Sequence, residues 1–139
     1  MSAFKSDFMQ TMADRGFIHQ VSDAAALDAA AQGRVTAYVG YDCTGPSLHI
    51  AHLLSIMMLH SFQQTGGKPI TLMGGGTTRV GDPSGKDEER PILTLEQIEA
   101  NKQSIKGVFS RFLTFGPGPG DAIMADNAEW LATLNYVDF

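Results

Sequence analysis

Cysteine is almost missing: Cys43 is the only one in 139 residues, so no disulfide can form within the chain. Charge is scarce too, at 18% of residues, which fits a segment that buries much of its surface against something else. What charge there is leans acidic, with 10 Lys and Arg against 15 Asp and Glu and a net charge of -5. No overall positive field therefore draws the chain to nucleic acid or to an anionic membrane, and any nucleic-acid contact must come from residues elsewhere. No apolar run reaches membrane-spanning length and none has the form of a signal peptide. These absences point to a cytoplasmic chain with no membrane partner. A length of 139 residues suffices for one compact core but is small for a two-substrate enzyme.

What is present has a clear order. Phe4, Phe8, Met9 and Met12 recur at helical spacing before Gly16, predicting a helix over 3–15 that ends in a left-handed glycine. Ser22 and Asp23 precede an alanine-rich stretch to Gln32, a second short helix closed by Gly33. Over 35–41 the residues are β-branched and aromatic without polar alternation, as in a strand buried on both faces of a parallel sheet. A helix over 47–64 and a second buried strand over 68–73 follow, ending at Gly74, Gly75 and Gly76. Strand, helix, strand in that order implies a right-handed crossover. A polar loop over 77–91 leads to a helix whose start, Thr94 with Gln97 three residues on, has capping-box form. Ile98, Ile105, Val108, Phe109 and Phe112 line its buried face. A "GPGPG" surface turn, a short strand over 122–125 and a last helix capped by Asn127 and running through Trp130 and Leu134 complete the pattern. The fold class is α/β: two helices over 1–33, then over 34–139 the N-terminal half of a Rossmann-like, doubly wound parallel sheet.

In such a sheet ligands bind beyond the carboxyl ends of the strands, and both glycine-containing loops fall there. His49 and His52 lie one turn apart, so their rings project from the same side of the helix near its N-terminus. Unpaired backbone N–H groups and the helix dipole favour an anion at that end. Two imidazole donors beside them suit a phosphate chain and the negative charge that grows in a transition state. The plain alternative is a pair of ordinary, partly exposed helix histidines. A zinc site would need further ligands, and His19, His60 and Cys43 do not supply metal-site spacing. "GDPSGKD" has the flavour of a P-loop but fails its pattern, since the required first glycine falls at Val80 and the magnesium-binding position at Asp87. Lys86, Asp87, Glu88, Glu89 and Arg90 read as a solvated loop. Cys43 has no histidine and acid to activate it and reads as a pocket wall, while Met57 and Met58 read as core.

The stretch "YVGYDCTGPSLHIAHL" over 38–53, taken with "LMGGGTTRVGDPSGKDEER" over 72–90, resembles class I aminoacyl-tRNA synthetases, and bacterial tyrosyl-tRNA synthetases in particular. His49-Ile50-Ala51-His52 stands at the HIGH signature of that class. The likeness covers nearly the whole chain and implies roles position by position. The Tyr38 hydroxyl would hydrogen-bond the phenol of substrate tyrosine, and these synthetases are themselves a known example of rejecting an analogue that leaves a buried polar partner unpaired. Asp82 would accept a hydrogen bond from the α-ammonium group, with Thr77 lining the same pocket. Asp42 would sit where the amino acid and its phosphate meet, and Gly40 would let the nucleotide approach the strand end. Thr44 and His49 would bind the leaving pyrophosphate, His52 the ribose region of ATP, and Ala51 would lie along the adenine. The implied reaction is attack of the tyrosine carboxylate on the α-phosphorus of ATP, then transfer of the tyrosyl group to tRNA(Tyr). Magnesium accompanies ATP, with no tightly bound cofactor, and the full-length protein is expected to be a homodimer.

Two departures from the family stand out. The third signature position is usually glycine, and the extra methyl of Ala51 is expected to alter ATP affinity without abolishing function. The chain also lacks the lysine-bearing KMSKS-type loop, the second half of the tyrosine pocket and the tRNA-binding parts, so it reads as a fragment with little activity alone. Two other readings compete: a complete small nucleotidyltransferase using an HxGH-like pair, and a non-catalytic interaction module that kept the fold. The former would carry a downstream basic motif, which is not found.

Overall fold

A computed structural model describes residues 4–80 and 93–135. The first helix, α1 (Asp7–Asp14), starts at Ser6, whose hydroxyl accepts the Met9 N–H. It ends before Gly16, which takes a φ of 70° that other residues avoid. The second helix, α2 (Ala24–Ala30), starts at Asp23, whose carboxylate accepts the Ala26 N–H. Gly33 closes nothing in the left-handed sense, because among the described residues only Gly16 and Gly66 have positive φ. Asp28 in α2 staples the two helices by accepting from Lys5 N, Ser6 N and Ser6 Oγ, the last at 2.7 Å. Met9 and Met12 are buried, and Phe8 meets Phe62 edge-on at 5.0 Å, which docks α1 on the next helix.

Three parallel strands follow: β1 (Thr36–Tyr41), β2 (Lys68–Met73) and β3 (Ile123–Asp126), ordered β1-β2-β3 across the sheet. Helix α3 (Ile50–Gln64) connects β1 to β2. Between β2 and β3 lie α4 (Gly75–Val80) and α5 (Leu95–Phe109), and α6 (Ala128–Leu131) follows β3. Because the strand order never reverses, successive crossovers of one hand place their helices on the same face. One core results, joining Tyr41 and Met73 of the sheet to Ile56 and Leu59 of α3 and to Ile98, Ile105 and Phe109 of α5. Phe109 at its centre is fully buried, and removing a side chain of that size from water stabilises by about 1.5–3 kcal/mol.

The opposite face of the sheet differs from expectation. Tyr38, Ile70 and Ile123 share one row and Gly40, Leu72 and Ala125 the next, and among the described residues this face is largely open. Tyr38 is 67% and Ile123 38% exposed. The strand over 35–41 is therefore buried on one face only, since the helices that would cover the other face in a doubly wound sheet follow a reversal of strand order. The loop expected from residue 77 is also corrected: α4 takes up residues 75–80 as helix. Among the described residues no helix is long and apolar enough to cross a membrane.

Candidate active site

The three strand ends are level, because Tyr41, Met73 and Asp126 are register partners. The residues just beyond them are tied together: Gly74 N–H donates to Tyr41 O at 2.8 Å and Asn127 N–H to Met73 O at 2.9 Å. From this edge β1 runs on into the loop that carries Asp42, Cys43 and Thr44. Cys43 N–H donates to Thr78 Oγ1 at 3.0 Å, and Cys43 O accepts from Asn101 Nδ2 at 2.9 Å. The loop is thus pinned from both α4 and α5. The Cys43 side chain is fully buried, and burial, followed by the nearby charge of Asp126, pushes its thiol up to about 11. A thiol that holds its proton is a wall and not a nucleophile.

Helix α3 begins at His49 through a reciprocal cap. Ala51 N–H donates to His49 Nδ1 at 3.2 Å and His49 N–H donates to His52 Nδ1 at 3.0 Å. A ring nitrogen that accepts carries no proton, so the network assigns each neutral imidazole its hydrogen on Nε2. Both histidines are exposed, and among the described residues the Nε2–H of each is left to donate. His52 is further braced from the strand. The Tyr41 ring packs edge-on against Phe109 at 4.8 Å, and its hydroxyl lies 3.0 Å from Ser55 Oγ. Ser55 donates in turn to His52 O at 2.8 Å, which makes Tyr41 the donor to Ser55.

Asp42 and Thr77 converge over the first glycine of the β2 turn. A Cβ on Gly74 would lie 2.8 Å from Thr77 Oγ1 and 3.3 Å from Asp42 Oδ1, so only glycine lets the two approach. At Gly40 the situation is the reverse, for an added Cβ would meet nothing within 4 Å among the described residues. The packing of the described residues does not itself demand glycine there. Thr77 also borders a cleft of about 420 Å³ lined by Gly76, Arg79, Val80, Leu131 and Ala132.

The sequence-derived residues thus fall in groups: His49, Ala51 and His52 in the first turn of α3, and Asp42 with Thr77 around Gly74. Thr44 is exposed in the loop between them, and Tyr38 and Gly40 lie on the open sheet face. Asp82 lies outside the described residues, as does the charged run from Lys86 to Arg90. Among the described residues no three His, Cys, Asp or Glu side chains gather to hold a metal ion.

Sequence reasoning missed the framework behind these groups. Asn127 starts α6 without a side-chain cap and instead caps α4, accepting from Gly76 N at 2.8 Å and donating to Thr77 Oγ1 at 3.1 Å. Its neighbour Asp126 accepts from Gly75 N and Ala128 N and pairs with Lys102. The available signal was position: a polar pair directly after a short strand, at the sheet edge where ligands bind.

A three-stranded parallel sheet whose crossover helices pack on one face, the first of them capped by two histidines, defines a protein of Rossmann-like fold. The chain belongs to the class I tRNA synthetases of the W and Y group, whose family model matches residues 30–139. It is 70% identical over 139 residues to a tyrosine–tRNA ligase of Rhodopseudomonas palustris, covering 99% of this chain and 33% of that protein. With a tyrosine–tRNA ligase of Nitrobacter winogradskyi the identity is 68%, over 99% of this chain and 33% of the relative. In fold it is similar to a C-terminally truncated mitochondrial tyrosyl-tRNA synthetase of Aspergillus nidulans, with a TM-score of 0.74 at 24% identity over 96% of this chain and 41% of that one. The chain spans about a third of the length of the curated relatives it matches.

Proposed function

We propose that these residues form the nucleotide side and part of the amino-acid side of a tyrosine–tRNA ligase, which activates L-tyrosine with ATP and passes the tyrosyl group to tRNA(Tyr). The observation that carries the reading is the reciprocal His49–His52 cap, which fixes both imidazoles at the start of the first crossover helix and leaves the Nε2–H of each to donate. Donors held in place before the reaction stabilise charge on departing pyrophosphate without reorganising as it develops. In this reading His49 and Thr44 face the pyrophosphate and His52 the ribose, with Ala51 along the adenine. Asp42 lies between the reacting groups. Tyr38 meets the substrate phenol, and Thr77 and Asp82 its ammonium group. Magnesium arrives with the nucleotide. The tRNA contacts, and a homodimer partner, belong to the full-length protein, a cytoplasmic translation enzyme.

The test is tyrosine-dependent exchange of labelled pyrophosphate into ATP by the full-length protein carrying these residues. His49→Asn keeps an acceptor near the place of Nδ1, and so the helix cap, but removes the Nε2–H. Adenylate formation is expected to slow by about 10²- to 10³-fold, the cost of one preorganised donor, while tyrosine binding stays nearly intact. Equal loss of both would make His49 a purely structural cap.

A further inference from the structure

The first turn of α4 carries Thr77, and its backbone N–H groups are held from the far end of β3. Gly75 N–H donates to Asp126 Oδ1 at 3.1 Å, while Gly76 N–H and Thr77 N–H donate to Asn127 Oδ1 at 2.8 and 3.4 Å. Gly75 is glycine for this contact, since a Cβ there would collide with the Asp126 carboxylate. Asp126 Oδ1 also accepts from Ala128 N at 2.9 Å. Its other oxygen, Oδ2, is taken by Lys102 Nζ at 2.5 Å, and Lys102 is shared with Glu99 at 2.6 Å. The Lys102 and Asp126 side chains are only 15% and 13% exposed, unlike a surface ion pair whose partners are held loosely by water.

We infer that Lys102 is a positioning residue for the amino-acid pocket: by fixing the Asp126 carboxylate it aims Oδ1 at Gly75 and so sets the place of Thr77. This rests on the reading of Thr77 as a residue of the tyrosine ammonium pocket. The electrostatics agree. Burial alone would raise the Asp126 carboxyl, yet the Lys102 hydrogen bond, the Ala128 N–H, the Lys102 charge and the Gly75 N–H together hold it below its ordinary value. Burial would likewise lower Lys102, but its bonds to Asp126 and Glu99 hold it above its ordinary value. The pair is therefore charged at neutral pH. Without Lys102 the largely buried carboxylate keeps its two backbone donors but loses its charge partner, and Oδ2 turns toward water or other donors. The acceptor of the α4 turn is then no longer fixed, while the histidine cap of α3, built from bonds within its own first turn, is untouched.

The experiment compares pyrophosphate exchange by the full-length protein and its Lys102→Met variant, with tyrosine and ATP varied separately. The tyrosine KM is expected to rise about tenfold, the scale of a small misplacement of a binding group, with the ATP KM nearly unchanged. Lys102→Arg is expected to restore most of the tyrosine KM. Lys102→Gln is made alongside, so that if the Met variant fails to fold the same split is read on a variant that keeps a hydrogen-bond donor. A fall in thermal midpoint with the tyrosine KM unchanged, or an equal rise in both KM values, would overturn the inference and leave the pair a structural tie. Absence of tyrosine-dependent exchange in the unsubstituted protein would instead overturn the reading of the function, and the inference with it.

Discussion

Thr71 lies in the middle strand, fully buried on the covered face, and its hydroxyl has no hydrogen-bond partner among the described residues. A buried donor left unmade costs stability, so Thr71→Val, which keeps the β-branch and discards the hydroxyl, is expected to stabilise the protein by about 1 kcal/mol. Denaturant unfolding measures this as a higher midpoint at unchanged slope, and a destabilised variant would show that the hydroxyl is satisfied. Single residues were otherwise legible where their chemistry is local. His49 and His52 were recognisable as a pair from spacing, and Gly16 as a helix end. What stayed hidden was the second use of each imidazole: the sequence suggests two donors, whereas Nδ1 of both accepts from the backbone and only Nε2–H is left for a ligand. Tyr41 and Ser55 were also passed over, because nothing in their own neighbourhood says that the hydroxyl of a strand aromatic reaches a helix 14 residues on.

Elements followed the same division. The Thr94–Gln97 capping box formed with both of its bonds, and the strand Lys68–Met73 has the boundaries its residues suggested. Helix α4 was missed because its first turn is stabilised by Asp126 and Asn127, and no pattern confined to residues 74–80 announces partners from another strand. Asn127 does stand at the N-cap position of α6, as its sequence position suggests, but its side chain serves α4, for the same reason. The staple between α1 and α2 carries a pH dependence. The N–H of Lys5, then that of Ser6, hold the Asp28 carboxyl below its ordinary value of 3.8. A depressed folded value means that the staple contributes fully above the unfolded value and is lost as pH falls through the folded one. The amide resonances of Lys5 and Ser6 are therefore expected to titrate together below pH 3.8 and to stop doing so in Asp28→Asn. A transition at higher pH would show that the carboxylate is not held by these donors.

For the molecule as a whole, the open sheet face is the main property that composition only hinted at, through the low fraction of charge. Tyr38, Ile70, Leu72 and Ile123 present an apolar surface on a sheet whose outer strands, β1 and β3, have no further partner among the described residues. Such surfaces associate. A preparation limited to these 139 residues is expected to show a mass by light scattering that grows with concentration, and Ile123→Lys to reduce the growth. A concentration-independent monomer would mean that the face tolerates water. The ties that shape the candidate site bear on folding as well. Cys43 to Thr78 spans 35 residues, Gly75 to Asp126 spans 51 and Asn101 to Cys43 spans 58. Contacts so distant along the chain close late, after the entropy of the intervening loops has been lost. During synthesis the helices can form as they emerge, but the turn bearing Thr77 waits for Asp126 and Asn127 to leave the ribosome, so the candidate site is among the last parts of this half of the sheet to take shape.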